Sequence, residues 1–339
     1  MKTKIAAMAC VAGAILVLGI AVGSVYIPPG DILRIIAHNI FGIDMPEHIT
    51  RNQAAIVWNL RLPRALLAFC AGAALAVSGA VMQSILRNPL ASSYTLGVSS
   101  GASLGASLVI FLGVTLPFLP MLTLPILGFT FGLGTILLVM AISRRLDVRM
   151  ENHTIILTGM VFALFVNAIT TLMFALFREG TQRMLFWQMG SFSMRDWHTL
   201  YILAPVALAG IILIFLRKNE MDVMTFGEEQ AQSIGVNIRR VKMTLLISAA
   251  ALTGSTIAFV GVIGFVDLVA PHVVRKIFGP SHRLVIPMSA ITGGAFMVIA
   301  DLVARTAMDS VELPVGAVTA LIGAPFFAYI YFSRRKGAV

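Results

Sequence analysis

Arg64-Ala65-Leu66-Leu67-Ala68-Phe69-Cys70-Ala71-Gly72-Ala73-Ala74-Leu75-Ala76-Val77-Ser78-Gly79-Ala80-Val81-Met82-Gln83-Ser84-Ile85-Leu86 carries no charge after its first residue and is closed by Arg87-Asn88-Pro89. An α-helix crosses a hydrocarbon layer with roughly 20 apolar residues, so 64–86 reads as a transmembrane span. Moving outward, nine further stretches read the same way, near 5–27, 95–115, 118–142, 154–177, 198–216, 243–261, 264–278, 285–305 and 314–332. The eighth is short and interrupted by Pro271. The fold class predicted is all-α, a polytopic membrane protein of about ten transmembrane helices, in a single domain over residues 1–339. Residues 31–42, after Pro28-Pro29, form a weakly amphipathic stretch better read as lying on the membrane surface than crossing it.

Composition agrees. The 339 residues are 58% hydrophobic and only 12% charged, with a mean hydropathy of +0.92. Soluble domains carry about 25% charged residues, so lipid has to cover much of this surface, and no large extramembrane domain fits. The net charge of +10 does not point to nucleic acid, because the basic residues stand singly or in pairs between apolar runs rather than on one polar face. That is how loop charges orient a membrane protein.

Ten spans put both termini on one side. Seventeen of the 25 Lys and Arg fall there, among them Lys2, Lys4, Arg87, Arg144, Arg145, Arg149, Arg239, Arg240, Lys242, Arg334, Arg335 and Lys336. That side is therefore read as cytoplasmic. Met1-Lys2-Thr3-Lys4 before an apolar run resembles a signal peptide, but the run is long and lacks a clean cleavage site, so it is read as the first span. Cys10 and Cys70 lie in apolar runs and read as small core residues.

Gly97, Gly101 and Gly105 recur every four residues, and Gly128 and Gly132 repeat the device. Small residues let helices approach closely in lipid, so helix packing is the reading preferred over a substrate-lining stripe. A faint repeat relates the second span, running into Asn88-Pro89-Leu90-Ala91, to the seventh, which leads to Ala270-Pro271-His272-Val273.

The local motifs are more specific. Arg61-Leu62-Pro63-Arg64 opens the second span, and Gly72 to Gln83 follows within it. Then come Arg87-Asn88-Pro89-Leu90-Ala91, Leu96-Gly97-Val98-Ser99-Ser100-Gly101-Ala102, Trp187-Gln188-Met189-Gly190-Ser191 and Gly227-Glu228-Glu229-Gln230-Ala231. Ile263-Gly264-Phe265, Ala270-Pro271-His272, Ala300-Asp301-Leu302-Val303-Ala304-Arg305, Glu312-Leu313-Pro314-Val315-Gly316 and Gly323-Ala324-Pro325-Phe326-Phe327 complete the series. From about residue 56 to the C-terminus, these resemble the FecCD family of ABC permeases, which includes ferric-siderophore, haem and vitamin B12 importers.

The resemblance implies a homodimer or close heterodimer with the translocation path between subunits, two cytoplasmic ATPase subunits, and an extracytoplasmic binding protein. The chain holds no G-x-x-x-x-G-K-[ST] phosphate loop. ATP and Mg are thus expected on the partner ATPase, with no cofactor in this chain and no catalytic residues.

The long polar stretch 217–242 is the expected coupling segment. Thr225-Phe226-Gly227-Glu228 has the form of a capping box and Gly235 is a natural stop, which predicts a helix over 226–234. The resemblance makes Gly227, Glu228, Glu229, Ala231 and Gly235 its signature. It assigns Arg61, Arg64 and Arg305 to docking of the binding protein, where a planar fork suits carboxylates; snorkelling to headgroups is the alternative. It places the cytoplasmic gate at Asn88 and Leu90 and at Glu151, Asn152 and His153, although Glu151 and His153 stand where relatives carry small hydroxylic residues. Asp267 stands where many relatives carry glycine. An intramembrane carboxylate costs about 2.5–3.5 kcal/mol at the bilayer centre, so Asp267 reads either as structurally paired or as a pathway residue. Asp301, four residues before Arg305, reads as its local partner.

The six histidines are scattered without ligand spacing, so no metal site is expected, and the 18 methionines read as core filler. An ion-coupled secondary transporter is the competing class, with only Asp267 and Asp301 available to it. Within the leading class, the cargo reads as a ferric siderophore or related chelate, with haem and cobalamin as alternatives.

Overall fold

Helices account for all regular structure among the described residues of the computed structural model, which are 1–23, 25–308 and 311–333. The charges Arg334, Arg335 and Lys336 lie outside them. In chain order the helices are α1 (Lys2–Ala21), α2 (Pro29–Phe41), α3 (Arg51–Ala55), α4 (Leu62–Ile85), α5 (Val98–Leu112), α6 (Thr123–Leu146), α7 (Asn152–Leu176) and α8 (Thr181–Met189). They continue as α9 (Trp197–Leu216), α10 (Lys218–Met224), α11 (Glu228–Ser233), α12 (Ile238–Val260), α13 (Val266–Phe278), α14 (His282–Thr306) and α15 (Val315–Ser333). A π-helical turn, Ile56–Arg61, joins α3 to α4.

All ten expected spans coincide with helices, and seven are long and apolar enough to cross a membrane. The other three, α5, α13 and α15, are shorter. α5 is short because the chain after α4 turns back inward. Ser93 reaches Ser78 in mid-α4 at 2.7 Å, and Thr253 of α12 donates to Ser93 at 2.9 Å. The first span ends earlier than expected, at Ala21. α2 begins at Pro29 and buries Ile32 and Ile35, leaving Leu33 and Phe41 exposed.

The eighth span is interrupted, but not where expected. α13 runs through Pro271, and the break lies just before it, at the left-handed Phe265 (φ +69°). Pro271 lacks an N–H and so frees the carbonyl of Asp267 one turn earlier. Gln83 Nε2 of α4 donates to that carbonyl at 3.1 Å. The helix therefore continues because a neighbour supplies the missing donor.

α4 is the centre of the bundle, packed by α1, α9, α12, α13 and α14. Its contact with α14 is backbone to backbone, since a Cβ on Gly72 would sit 2.2 Å from the Gly293 carbonyl oxygen. The Gly101/Gly105 stripe serves packing in the same way. A Cβ on Gly105 would stand 2.4 Å from the Leu127 carbonyl oxygen of α6. Cys70 is half-buried in this bundle, whereas Cys10 is exposed on α1 and is not a core residue. A helix in lipid can present an apolar thiol outward at no solvation cost, so span membership alone does not establish burial.

Candidate coupling and gating site

The coupling segment forms α10 and α11, and α11 is shorter than expected and differently capped. Thr225 Oγ1 donates to the Asp222 carbonyl at 2.6 Å, which ends α10. Thr225 is itself the C-cap of α10, and Gly227 (φ +142°) occupies the N-cap position of α11, so Thr225 stands two residues too early to cap it. Gly235 (φ +93°) follows the helix as expected. Met221, Met224 and Ala231 are buried in one cluster with Ile85, Leu86 and Met150. The segment is thus seated on the ends of α4 and α6–α7 rather than solvated on all sides.

Glu228, at the start of α11, has its carboxylate 2.8 Å from Lys242 Nζ of α12. Glu229 is exposed. Asp222 of α10 caps α14 in trans, because its Oδ1 accepts from the His282 backbone N–H at 2.8 Å and lies 2.6 Å from Nδ1 of that ring.

The two turns expected to gate the exit come together here. An open cleft of about 690 Å³ is lined by Arg87 and Asn88, by Glu151, Asn152 and His153, and by Gly227, Glu228 and Glu229. A second cleft of about 860 Å³ shares Glu151, Glu228 and Glu229 and extends to Gly235 and Lys242. Leu90 is 45% exposed and lies outside the residues lining the first cleft. Its N–H donates to Asn88 Oδ1 at 2.9 Å, so Asn88 also shapes its own turn.

The second turn is built on Asp147. Its carboxylate accepts from the N–H groups of Arg149 at 2.9 Å and Glu151 at 2.7 Å, and these donors hold its carboxyl below the ordinary Asp range. His153 Nδ1 lies 3.3 Å from the Glu151 carboxylate, both exposed.

The three arginines assigned to docking gather at one corner, where α1, α4 and α14 meet. Arg61 is 6% exposed and donates to the carbonyls of Ile20, Ala21 and Val25, closing the C-terminal end of α1. Arg64 forks onto Asp301 at 2.9 Å and onto Glu312 at 2.8 Å. Arg305 donates to the Gly19 carbonyl. Its Nε is 3.8 Å from Asp301, so Arg64, not the local Arg305, is the principal partner of Asp301. Asp267 is 3% exposed, with Oδ2 lacking a hydrogen-bond partner among the described residues. It sits against Gly79 and Gln83 of α4.

Residues whose part was not legible in the sequence are Lys242, Asp222, His282, Gln83 and Arg275. Arg275 donates to the Ala80 carbonyl and to Ser84 Oγ, each at 3.1 Å, and Ser84 Oγ lies 2.6 Å from His282 Nε2. A polar chain thus runs from α10 into the α4–α13 interface. Lys242 and Arg275 counted in the sequence only as orienting charges. Among the described residues no cluster of three His, Cys, Asp or Glu side chains is placed to hold a metal.

The family model described as the FecCD transport family matches residues 11–333. An uncharacterized ABC transporter permease protein of Bacillus subtilis, YvrB, is 42% identical, with 95% of this chain and 91% of the relative covered. The Fe(3+)-citrate import system permease protein YfmE of the same organism is 34% identical, with 94% and 92% covered. A solved metal-chelate type ABC transporter in an inward-facing conformation superposes with a TM-score of 0.85 at 27% identity, covering 98% of this chain and all of that one.

Proposed function

Because the chain belongs to the FecCD transport family, we propose that it is the membrane-spanning subunit of an ATP-driven importer that brings a ferric siderophore or related metal chelate into the cytoplasm. One observation carries this reading. Both turns that would close an exit, Asn88 and Glu151–His153, share a single cleft with α11, the segment that would receive force from a motor. A permease that hydrolyses nothing needs such an arrangement, since a push on one rigid element then reaches both sides of the exit.

The end of the bundle that holds this cleft is taken as cytoplasmic, because the surplus of Lys and Arg lies there. The ATPase subunits, with ATP and Mg, dock on α10 and α11. A second copy of the chain completes the translocation path.

The binding protein docks at the opposite end, on the arginine corner. Glu312 is 43% exposed in its side chain and holds the outer edge of Arg64's fork. A carboxylate from the binding protein would take its place there, since bidentate recognition suits either acid. Arg305 stands beside this fork, and Arg61 supports it by fixing the end of α1. The Fe(3+)-citrate relative supports a ferric cargo, and relatives named for cobalamin and hemin import keep those two as alternatives.

The test is uptake into cells lacking their own chelate importers and supplied with this chain, its ATPase and its binding protein. Labelled ferric hydroxamate, ferric citrate, haem and cyanocobalamin are offered separately. ATP-dependent accumulation of a ferric chelate is expected. Accumulation of haem or cobalamin alone would replace the cargo but keep the machine. Accumulation of any of these that is abolished by an ionophore at constant ATP would favour ion-coupled transport instead.

A further inference from the structure

Two cations tie the coupling segment to the two exit turns. Lys242 is 1% exposed, and its ammonium touches both the Glu228 carboxylate of α11, at 2.8 Å, and the Met150 carbonyl, at 3.1 Å. Met150 (φ +52°) immediately precedes Glu151, Asn152 and His153. On the other side, Arg87 (φ +50°) donates through Nη2 to the carbonyl of Met224, the last residue of α10, at 2.6 Å. Asn88 follows it directly.

We propose that Lys242 and Arg87 are the positioning residues that convert a displacement of α10–α11 into movement of the two exit turns; this rests on the reading of residues 217–242 as the force-receiving segment. The physical reason is the cost of separation. A buried ammonium with one carboxylate and one carbonyl cannot leave either without stranding a charge or a polar group in a low-dielectric site. When α11 moves, Lys242 follows Glu228 and takes Met150 with it.

The turn on which Lys242 pulls is stiff enough to transmit the motion. Asp147 holds the N–H groups of Arg149 and Glu151 through its carboxylate and that of Met150 through its carbonyl. The Met150 side chain is itself buried in the cluster that contains Met221 and Met224. The turn therefore moves as a block. Arg87 does the same for the first turn, where the Asn88 N–H is fixed to the Gln83 carbonyl.

The experiment uses the full complex with its ATPase subunits in lipid nanodiscs, with Cys10 and Cys70 replaced by Ser. Spin labels on Val148→Cys in the second turn and on Ile234→Cys after α11 are each paired with a reference label on Leu213→Cys of α9. All three native side chains are exposed. Addition of a non-hydrolysable ATP analogue with Mg is expected to change both distances in the otherwise unmodified complex.

In Lys242→Met the Ile234 label should still move and the Val148 label should not. Transport per ATP hydrolysed should fall about tenfold, at the low end of couplings between sites. Lys242→Arg, which keeps the charge, should restore both. A label on Leu90→Cys should lose its movement in Arg87→Ala. Undiminished Val148 movement in Lys242→Met overturns the proposal. If that variant does not assemble, Glu228→Ala removes the same contact from the exposed side, with the same expected and overturning results. A complex in which the Ile234 label ignores the nucleotide while ATP-dependent uptake proceeds would refute the underlying reading of the segment and this inference with it.

Discussion

Arg64 and Asp301, 237 residues apart in sequence, meet through a fork in which Nε and Nη2 both reach the carboxylate, at 3.1 and 2.9 Å. Side-chain exposures are 14% and 5%. The pair joins α4 to α14 at the end of the bundle opposite the cleft, about two helical turns from the point where Gly72 and Gly293 bring the two backbones together. Removing Arg64 leaves the Asp301 carboxylate in a largely dry site with Arg305, at 3.8 Å, as its remaining partner among the described residues. Arg64→Ala should therefore cost about 3–5 kcal/mol, whereas Asp301→Ala should cost less because Arg64 keeps Glu312. Thermal unfolding of the detergent-solubilised protein measures both, and Arg64→Ala/Asp301→Ala should cost less than the sum of the single changes.

Arg61 has a different task from its neighbours. Its three carbonyl partners belong to the end of α1 and the turn beyond it. Arg61→Met should leave those carbonyls unpaired at about 1–3 kcal/mol each in the limit of full burial, and limited proteolysis should begin near residues 20–27. Replacing Arg61, Arg64 and Arg305 together by Glu should abolish stimulation of ATP hydrolysis by the binding protein. Unchanged stimulation would remove the corner from the docking site.

Glu312 gives this corner a pH signature. Its carboxyl is held below the ordinary value of 4.5 chiefly by the hydrogen bonds from Arg64. A depressed folded-state value contributes stability above the unfolded value and loses it as pH falls through the folded one. The stability difference between the native protein and Glu312→Gln should thus be constant from pH 8 to 5 and shrink on further acidification. Melting temperature against pH is the measurement, and a difference that grows in acid would contradict it.

Gly105 faces the α6 backbone, with no room for a β-carbon beside the Leu127 carbonyl. Gly105→Val should force α5 from α6 and destabilise by about 1–3 kcal/mol, the usual penalty of overpacking. Gly134, whose added Cβ would meet nothing within 4 Å, serves as the control, and Gly134→Ala should be tolerated without loss of stability.

Much of the helix layout was legible in the sequence because hydropathy reports on lipid directly, residue by residue. A short helix in 217–242 was legible from its polar sequence, and Gly235 marked where α11 ends, whereas a gating part for the two turns rests on the motif resemblance. Local rules fell short where a distant partner intervened. The i,i+4 pair of Asp301 with Arg305 is present at 3.8 Å, yet Arg64 from another helix makes the tighter fork. Pro271 looked like a break, but Gln83 of α4 satisfies the carbonyl that it frees. Thr225 had the spacing of a cap, but it closes α10, and α11 starts only after Gly227. Lys242 looked like an orienting charge because nothing near it in sequence shows that it is buried between α11 and the Asp147 turn.

The most direct measurement is uptake of a labelled ferric chelate into proteoliposomes that contain this chain, with and without its ATPase subunits and ATP in the compartment they face. Accumulation should require all three components, and the chain alone, even under a proton or sodium gradient, should admit nothing. Gradient-driven accumulation by the isolated polypeptide would contradict an externally powered pore.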